Sequence, residues 1–276
     1  MYCLVLCHTI QTRCKCWVDA FRVQLSKIFL LIFWLNLPLH FFWLYSLAAG
    51  CFALAKFTEQ QNSNMDKQIC IFGTGGFGRE VLCCLIDAVA NTSGKIEDLA
   101  CFMVSDDQFK EAEIMGIKVI PQSGFDLAKH QVIVAIGDPF ARKKVAESFP
   151  ANTSFATIIH PSAVISKWIE IGEGSIVTAG TILTCNIKIG KHAHLNLHTT
   201  IGHDCVIGDY FTTAPAANVS GNCHFGACVY LGTNASIKQG IAICDNVTIG
   251  MGGVVVKNVT EEGIYIGNPL KKLEKK

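Results

Sequence analysis

The sequence carries almost no net charge. Its 23 Lys and Arg residues nearly balance 22 Asp and Glu residues, which gives a formal charge of +1 at pH 7 over 276 residues. A protein that binds nucleic acid through the phosphates needs a basic surface, and this chain has no excess of basic residues to form one. We therefore expect no nucleic-acid partner.

The 14 cysteines lack the spacing of a metal site or of a disulfide framework. Cys14-Lys15-Cys16 and the adjacent pair Cys83-Cys84 do not have the separation of zinc ligands. Cys205 and Cys223 fall at equivalent positions of a repeat that we expect to face inward. This usage is typical of reduced thiols in the core of a cytosolic protein, and we expect no metal.

A repeat of six residues dominates the second half of the chain. An apolar residue returns at every sixth position from Ile159 to Val255, with Thr213 as the exception, and Gly often follows it directly. Six residues form one short strand and one corner, so three units close a triangular coil. The pattern predicts a parallel β-helix of about six coils, with glycines at corners that need a positive φ or a close approach of backbones.

Residues 1–64 differ in composition from the rest. Residues 28–55 are almost wholly apolar and aromatic, and this run is long enough to span a bilayer. The basic residues before it would place everything after Lys56 across the membrane. Met65 directly precedes the first globular segment, so we interpret residues 1–64 as upstream translation, with a membrane anchor as the alternative.

A glycine-rich loop follows the first predicted strand, Gln68–Phe72. Gly73-Thr74-Gly75-Gly76-Phe77-Gly78 leads into a helical stripe, and such a turn can bind phosphate or serve packing alone. Further strands and a predicted helix over 139–149 complete a small α/β, Rossmann-like domain at residues 65–154. The acidic pair Asp106-Asp107 comes later than an NAD site requires, so a nucleotide or nucleotide-sugar pocket is the better interpretation.

His203 is the candidate catalytic residue of the repeat domain, residues 155–276. It stands at a predicted corner beside Asp204, and the equivalent position one coil later is Gly221, which leaves open space next to the imidazole. A neutral His held by a carboxylate can remove a proton from an amine or hydroxyl near neutral pH. Asp204 would fix the tautomer and stabilise the imidazolium, although most histidines on a β-helix surface need no such role.

Five stretches occur together in a fixed order. They are 71–80, with the glycine loop; 135–142, Ala-Ile-Gly-Asp-Pro-Phe-Ala-Arg; 159–163, Ile-His-Pro-Ser-Ala; 196–209, which contains His203; and Gly267-Asn268-Pro269. In this combination the chain from Lys67 onward, about 210 residues, resembles the PglD/NeuD-like sugar acyltransferases, which modify bacterial nucleotide sugars or sialic acid. The resemblance does not include residues 1–64.

The resemblance implies a left-handed β-helix, acetyl-CoA as the acyl donor and a homotrimer whose active sites are shared by two subunits. It makes His203 the general base and Asp204 its acidic partner, and it directs the N–H of Gly221 at the thioester carbonyl. The residues that it places along the CoA groove are Gly221, Thr233, Met251 and Lys257. Transfer would be direct, within a ternary complex and without a covalent intermediate.

The resemblance also implies that the N-terminal domain holds the nucleotide sugar. The residues concerned are Gly73, Gly75, Gly76, Asp106, Asp107 and Arg142, and Asn196 of the repeat domain is a further substrate-binding residue. Phe77 stands where UDP-amino-sugar enzymes often carry a His, and Thr212-Thr213 replaces a stretch that supplies another His in some members. We expect N-acetylation of a nucleotide-linked amino sugar in the cytoplasm, with O-acetylation of sialic acid or a related sugar as the alternative.

Two other classes of protein are compatible with the repeat. A γ-type carbonic anhydrase is also a trimeric left-handed β-helix, and His198 and His203 have the spacing of two of its zinc ligands. The third ligand would fall at Ser162, with His160 two positions away, which disfavours the lyase. A non-catalytic scaffold is the third interpretation, because solenoids often only bind.

Overall fold

The computed structural model describes residues 67–90 and 94–274. The hydrophobic run at 28–55 and the interpretation of residues 1–64 lie outside the described residues. None of the helices that the structure describes is both long and apolar enough to cross a membrane.

The N-terminal part is a five-stranded sheet flanked by helices. Its strands are β1 (Gln68–Phe72), β2 (Ala100–Val104), β3 (Glu113–Ile114), β4 (Ile117–Pro121) and β5 (His130–Val134), in the order β3-β4-β2-β1-β5. The helices are α1 (Gly76–Val89), α2 (Ile96–Leu99) and α3 (Pro139–Ala146), with short 3-10 helices at Asp106–Gln108 and Gln122–Gly124. All pairings are parallel except that of β3 with β4, as expected for a Rossmann-like unit.

The central strands of this sheet are buried on both faces. All five residues of β2 are buried, and an apolar run of this kind is typical of a covered parallel sheet. One face packs Ile71 and Phe102 against α1. The other face packs around Phe72 and Phe149, whose rings meet edge to face with centroids 5.9 Å apart. Helix α3 ends at Ala146, earlier than the predicted end at residue 149.

The repeat forms a three-sided β-helix in which strands pair in parallel at a spacing of eighteen residues, except at the C-terminal end, where Val247 pairs with Gly263 at a spacing of sixteen. Face A contains β6 (Ile158–Ile159), β9 (Ile176–Val177), β12 (His194–Leu195), β15 (Thr212–Thr213), β18 (Tyr230–Leu231), β21 (Val247–Ile249) and β23 (Gly263–Ile266). Face B contains β7 (Val164–Ile165), β10 (Ile182–Leu183), β13 (Thr200–Ile201), β16 (Asn218–Val219), β19 (Ser236–Ile237) and β22 (Val254–Val255). Face C contains β8 (Ile169–Ile171), β11 (Ile187–Ile189), β14 (Val206–Ile207), β17 (His224–Phe225) and β20 (Ala242–Ile243), and β24 (Lys271–Lys272) pairs antiparallel with β23.

The predicted inward residues form the core of the β-helix. Cys205 and Cys223 lie inside the coil, and the nine cysteines of the described residues are free thiols. Thr213 interrupts the apolar series without a cost in unpaired groups, since its buried hydroxyl binds the hydroxyl of Thr199 at 2.7 Å and accepts from the N–H of Asn196 at 2.9 Å. The fold class predicted from the repeat is confirmed.

We expected the corner glycines to provide either a positive φ or a close approach of backbones, and the glycines that directly follow an inward residue provide only the close approach. Glycines that directly follow the inward residue do not have a positive φ; a Cβ on Gly202 would lie 2.6 Å from the backbone nitrogen of Gly221 in the next coil. The positive φ falls two residues later, at Gly174 and at non-glycine residues such as Asn186 and Asp204. Asn and Asp tolerate this conformation better than most residues, so they replace glycine at these corners.

The α/β domain covers face A of the β-helix. The outward residues of its first strands, Ile158, Ile176, His194 and Thr212, are all buried. Ile158 and Ile176 belong to the same apolar cluster as Leu82 of α1. Faces B and C are left free of the α/β domain.

Candidate active site

His203 and Asp204 form a hydrogen-bonded pair at the corner between faces B and C, which we call corner BC. Nδ1 of His203 lies 2.7 Å from Oδ2 of Asp204. An ionised carboxylate has no proton to give, so Nδ1–H donates and the lone pair remains on Nε2. Both side chains are about half exposed, at 51% and 52%. The pair that the sequence predicted is therefore in place, with its basic nitrogen free.

Asn186 supports Asp204 from the preceding coil, a contact that the sequence analysis missed. Its Nδ2 donates to Oδ1 of Asp204 at 3.2 Å. The hydrogen bond from His203, and then that from Asn186, lower the pKa of the Asp204 carboxyl. Asn186 and Asp204 both have a positive φ and lie eighteen residues apart, so the recurrence of the same corner position in the next coil is the signal that would have indicated their contact.

Gly221 lies directly under the imidazole of His203. A Cβ at this position would be 2.6 Å from Nε2 and 2.7 Å from Cε1 of the ring. The space that the sequence predicted beside the imidazole is therefore filled by the ring itself, and only glycine permits this placement. The N–H of Gly221 donates to no backbone carbonyl among the described residues.

The residues predicted to line a CoA groove lie on two different corners. Gly221 and Lys257 follow His203 at steps of eighteen residues along corner BC. Thr233 and Met251 lie on the corner between faces A and B, corner AB, where the Met251 side chain is 80% exposed. Face B separates the two corners, so a single chain does not bring the two sets together.

Face B differs from face C in its lack of charge. Its outward residues are Val164, Ile182, Thr200, Asn218, Ser236 and Val254. Val164 is 61% exposed and Ile182 is 41% exposed. Face C instead carries an ion pair, with Lys188 Nζ 3.6 Å from Glu170 Oε1. An uncharged flat face with exposed aliphatic residues is typical of a protein interface.

A cavity of about 310 Å³ lies where the start of α1 meets face A and corner AB. It is lined by Phe77, Glu80, Gly137, His194, Asn196, Leu197, Thr212, Thr213, Ala214, Pro215 and Tyr230. Asn196, which the sequence predicted as a substrate contact, is among them, as are both departures from the family pattern, Phe77 and Thr212-Thr213. Glu80 is the one charged residue of the lining.

The glycine loop lies between β1 and α1 at the edge of the sheet where β2 also ends. Gly73 has a φ of 113° and approaches the carbonyl of Ala135, whereas a Cβ on Gly75 or Gly76 would meet nothing within 4 Å. No side chain caps the N-terminus of α1 and its first turn holds no acidic residue. The unpaired N–H groups and the helix dipole leave this end electropositive and open.

Asp106 and Asp107 lie in the 3-10 helix that follows β2, at the same edge of the sheet as the glycine loop. Oδ1 of Asp106 accepts from the N–H of Ser123 at 3.0 Å, and this hydrogen bond lowers the pKa of the Asp106 carboxyl. Neither residue lines the cavity. The structure therefore places them beside the loop and apart from Asn196.

Arg142 is buried completely and links the two domains. Its guanidinium donates to the carbonyls of Ile136 at 2.7 Å, His192 at 3.0 Å and Tyr210 at 2.7 Å, and to the hydroxyl of Thr212 at 2.7 Å. With these donors engaged inside the protein, the geometry favours a structural role for Arg142 over the substrate contact that we expected. Burial lowers the pKa of this guanidinium to about 9.

The zinc-ligand position of the rival lyase is engaged in other contacts. Ser162 Oγ lies 2.8 Å from Nδ1 of His160, whose Nε2 lies 2.9 Å from Asp87 Oδ2. These contacts connect the end of α1 to the first coil. Within residues 67–90 and 94–274 no three His, Cys, Asp or Glu side chains are grouped to hold a metal ion.

Comparison with known proteins identifies relatives of both domains. Residues 68–149 match the family model of the PglD N-terminal domain. The chain is 34% identical over 175 residues to a GDP-perosamine N-acetyltransferase of Escherichia coli O157:H7, over 62% of this chain and 78% of the relative.

Two solved structures share the fold over 75% of this chain, each at 26% identity. The acetyltransferase domain of PglB from Neisseria gonorrhoeae FA1090, in complex with acetyl coenzyme A, is covered completely with a TM-score of 0.68. PerB from Caulobacter crescentus, in complex with CoA and GDP-perosamine, is covered over 97% with a TM-score of 0.63.

The fold, the paired His203 and Asp204 and these relatives define an acyltransferase built on a hexapeptide-repeat β-helix with an N-terminal α/β domain. The chain belongs to the PglD/NeuD-like family of sugar acyltransferases.

Proposed function

We propose that the protein is an acetyl-CoA-dependent N-acetyltransferase whose acceptor is the amine of a nucleotide-linked amino sugar. The observation that carries the proposal is the position of His203, with Nδ1 on Asp204 and Nε2 beside Gly221, whose N–H donates to no backbone carbonyl among the described residues. The names of the Escherichia coli and Caulobacter relatives, which include GDP-perosamine, support the acceptor class.

In the proposed mechanism, Nε2 of His203 takes a proton from the sugar amine as its nitrogen attacks the acetyl carbonyl. Asp204 stabilises the imidazolium that forms and keeps the ring oriented. The N–H of Gly221 donates to the tetrahedral oxyanion, and CoA leaves as the thiolate. The attack is direct, so no side chain of the protein becomes acetylated.

We propose that the active site is completed by a second subunit of a homotrimer. Face B is uncharged and lies between corner BC, with His203, and corner AB, with Met251 and the cavity. When two chains pack through their B faces around a threefold axis, corner BC of one chain meets corner AB of its neighbour. This arrangement brings Gly221 and Lys257 together with the partner's Thr233 and Met251 into one groove for CoA.

We assign the nucleotide to the domain at residues 65–154 and acyl transfer to residues 155–276. The open N-terminus of α1 at Gly75 and Gly76 suits the diphosphate. Asp106 at the same sheet edge suits hydroxyl or base N–H donors, and the cavity beside Asn196 suits the sugar. Since acetyl-CoA is cytosolic, we place the reaction in the cytoplasm.

An acceptor panel with the purified full chain tests the proposed function. Acetyl-CoA is mixed with GDP-perosamine, a UDP-linked 4-amino sugar or sialic acid; free thiol is measured, and the product is analysed for an amide or an ester. We expect thiol release with an amino sugar nucleotide and an amide product. Turnover of sialic acid alone, with an ester product, would instead make the protein an O-acetyltransferase, and no turnover on any acceptor would favour a scaffold.

A complementation experiment tests the shared site. His203→Ala and Asn196→Ala are purified separately, and the two are then unfolded together and refolded as a mixture. Mixed trimers contain some sites in which both residues are intact, so we expect a part of the wild-type activity to return. If each chain held a whole site, the mixture would be as inactive as its components.

A further inference from the structure

The cavity beside Asn196 has an uneven charge. Among its lining residues, Glu80 is the one with a formally charged side chain. Burial, and then the charge of Arg142, lower the pKa of His194 well below its ordinary value, so the imidazole in this wall is neutral. The other lining residues are apolar, aromatic or neutral polar residues. A ligand in the cavity therefore meets one negative charge and no positive charge in the lining.

Helix α1 directs Glu80 toward this cavity. Phe77 and Glu80 are three residues apart in the helix, so they lie on the same face of it, and both line the cavity. The ring of Phe77 packs beside that of His194, with centroids 5.0 Å apart. Glu80 is exposed and takes part in none of the ion pairs among the described residues. Its charge is therefore open to a ligand and is not neutralised by a neighbouring side chain.

Arg142 lies behind the cavity wall and does not reach a ligand. Its guanidinium donates to Thr212 Oγ1 at 2.7 Å and to the carbonyl of Gly137 at 3.2 Å, two residues of the wall. Its Nε donates to the carbonyl of His192 at 3.0 Å, and the whole residue is buried. Arginine binds a carboxylate best through two parallel N–H donors, and this guanidinium has its donors engaged inside the protein. The accessible charge at the cavity is the carboxylate of Glu80.

An amino sugar and sialic acid, the two acceptors considered above, differ in charge. An amino sugar carries an ammonium group at neutral pH before its amine reacts, whereas sialic acid carries a carboxylate. A carboxylate in the cavity wall attracts the first and repels the second. We propose that Glu80 is a specificity-determining residue, whose negative charge makes the cavity prefer an acceptor sugar with an ammonium group and reject a sugar with a carboxylate. The proposal rests on the proposed function, in which this cavity holds the acceptor sugar.

A different role for an acidic residue at this position is stabilisation of the helix. Glu80 is the fifth residue of α1, and a negative charge close to the N-terminus of a helix interacts favourably with the helix dipole. That role does not require the side chain to line a cavity. It predicts a lower melting temperature when the charge is removed, without a change in ligand preference, so binding and melting measurements distinguish the two roles.

The test measures the binding of three nucleotide sugars that differ in the charge of the sugar. GDP-perosamine carries an ammonium group, the sugar of GDP-mannose is neutral, and GDP-mannuronate carries a carboxylate; the corresponding UDP sugars replace them if the acceptor panel selects UDP. Kd values are measured by calorimetry with the purified full chain in the absence of acetyl-CoA, so that no transfer occurs. Glu80→Gln removes the charge and keeps the shape. Glu113→Gln is the matched control, because Glu113 is exposed in β3 and does not line the cavity.

We expect the wild type to bind GDP-perosamine most tightly and GDP-mannuronate least tightly. In Glu80→Gln the Kd for GDP-perosamine should rise and the Kd for GDP-mannuronate should fall, each about three- to tenfold, as expected for unit charges about 6 Å apart near a protein surface. The Kd for GDP-mannose should stay the same, and Glu113→Gln should bind all three ligands like the wild type.

The dependence on salt provides a second readout, in the wild type itself. The ratio of the Kd for GDP-mannuronate to the Kd for GDP-perosamine should fall at about 1 M salt, where the Debye length is about 3 Å. The ligands share the diphosphate, so its own salt dependence cancels in this ratio. An unchanged ratio in Glu80→Gln would overturn the proposal, and a lower melting temperature with that unchanged ratio would assign Glu80 to the helix. Failure of the proposed function would be recognised separately, by absence of wild-type turnover with every acceptor.

Discussion

The substitution Gly221→Ala tests the position of the His203 ring without removing any other group of the proposed site. The new Cβ would lie 2.6 Å from Nε2, 2.7 Å from Cε1 and 2.9 Å from Cδ2 of the imidazole. Ordinary contacts between such atoms are about 3.5 Å, so the ring has to move by about 0.9 Å. A shift of this size away from the methyl group breaks the 2.7 Å hydrogen bond to Asp204 or turns Nε2 from the substrate.

The expected result is a large loss of turnover in a stable protein. A misplacement of about 1 Å at a reacting group costs about 100-fold in rate, so we expect kcat to fall about 100-fold. Gly221 does not have a positive φ, so Ala is compatible with the backbone and the free energy of unfolding should change by less than about 1 kcal/mol. The N–H at position 221 is retained, which separates this effect from loss of the oxyanion donor.

The assay is steady-state thiol release from acetyl-CoA with the acceptor that the panel identifies, together with a thermal melt. Gly124→Ala is the control, because a Cβ there meets only Pro121 and Ile120 at ordinary distances of 3.7 to 4.0 Å. We expect the control to retain wild-type kcat. Wild-type turnover in Gly221→Ala would refute the view that the ring must lie over this glycine.

Three further predictions concern the pair, the domain link and the interface. Hydrogen bonds lower the pKa of Asp204, so its carboxylate stabilises the folded protein at pH values above its unfolded pKa. This contribution is lost as the pH falls through the lowered pKa of the folded state. In thermal melts at descending pH, the melting temperature of Asp204→Asn should therefore fall less than that of the wild type. Arg142→Met leaves several buried neutral acceptors unpaired, and we expect the free energy of unfolding, measured by urea denaturation, to drop by about 3 kcal/mol. Ile182→Glu places a charge on face B, and we expect light scattering to show monomers and the thiol-release assay to show no turnover. Lys188→Glu, on face C, is the control and should leave the trimer intact. An active monomer of Ile182→Glu would contradict the shared site.

The period of the repeat was sufficient to predict the β-helix and the position of each residue within its coils. Every inward residue from Ile159 onward follows from a strict spacing of six, and the same count places His203 one coil before Gly221. Local chemistry, a His beside an Asp at a corner, then identifies the pair. These features depend only on residues that are near in sequence or one coil apart, which is why they can be predicted from the sequence.

The remaining features depend on how the α/β domain packs on face A. Arg142 and His194 are distant in sequence. Nothing in the repeat indicates that Nη1 of Arg142 lies 3.1 Å from Nδ1 of His194 in the buried interface. The cavity forms between Phe77 and corner AB for the same reason. The spacing could have separated the two corners that would hold CoA, because Gly221 and Lys257 lie at multiples of eighteen residues from His203, whereas Thr233 and Met251 do not.

The kcat of His203→Ala tests the central claim most directly. With acetyl-CoA and an amino sugar nucleotide saturating, the account predicts a fall of about 10²- to 10⁴-fold, as for loss of a general base, in a protein that melts like the wild type. His224→Ala provides the matched control, since His224 is exposed on face C and, within the described residues, forms no hydrogen bond with His203 or Asp204. Turnover in folded His203→Ala equal to that of the control would contradict the assignment of His203 as the catalytic base.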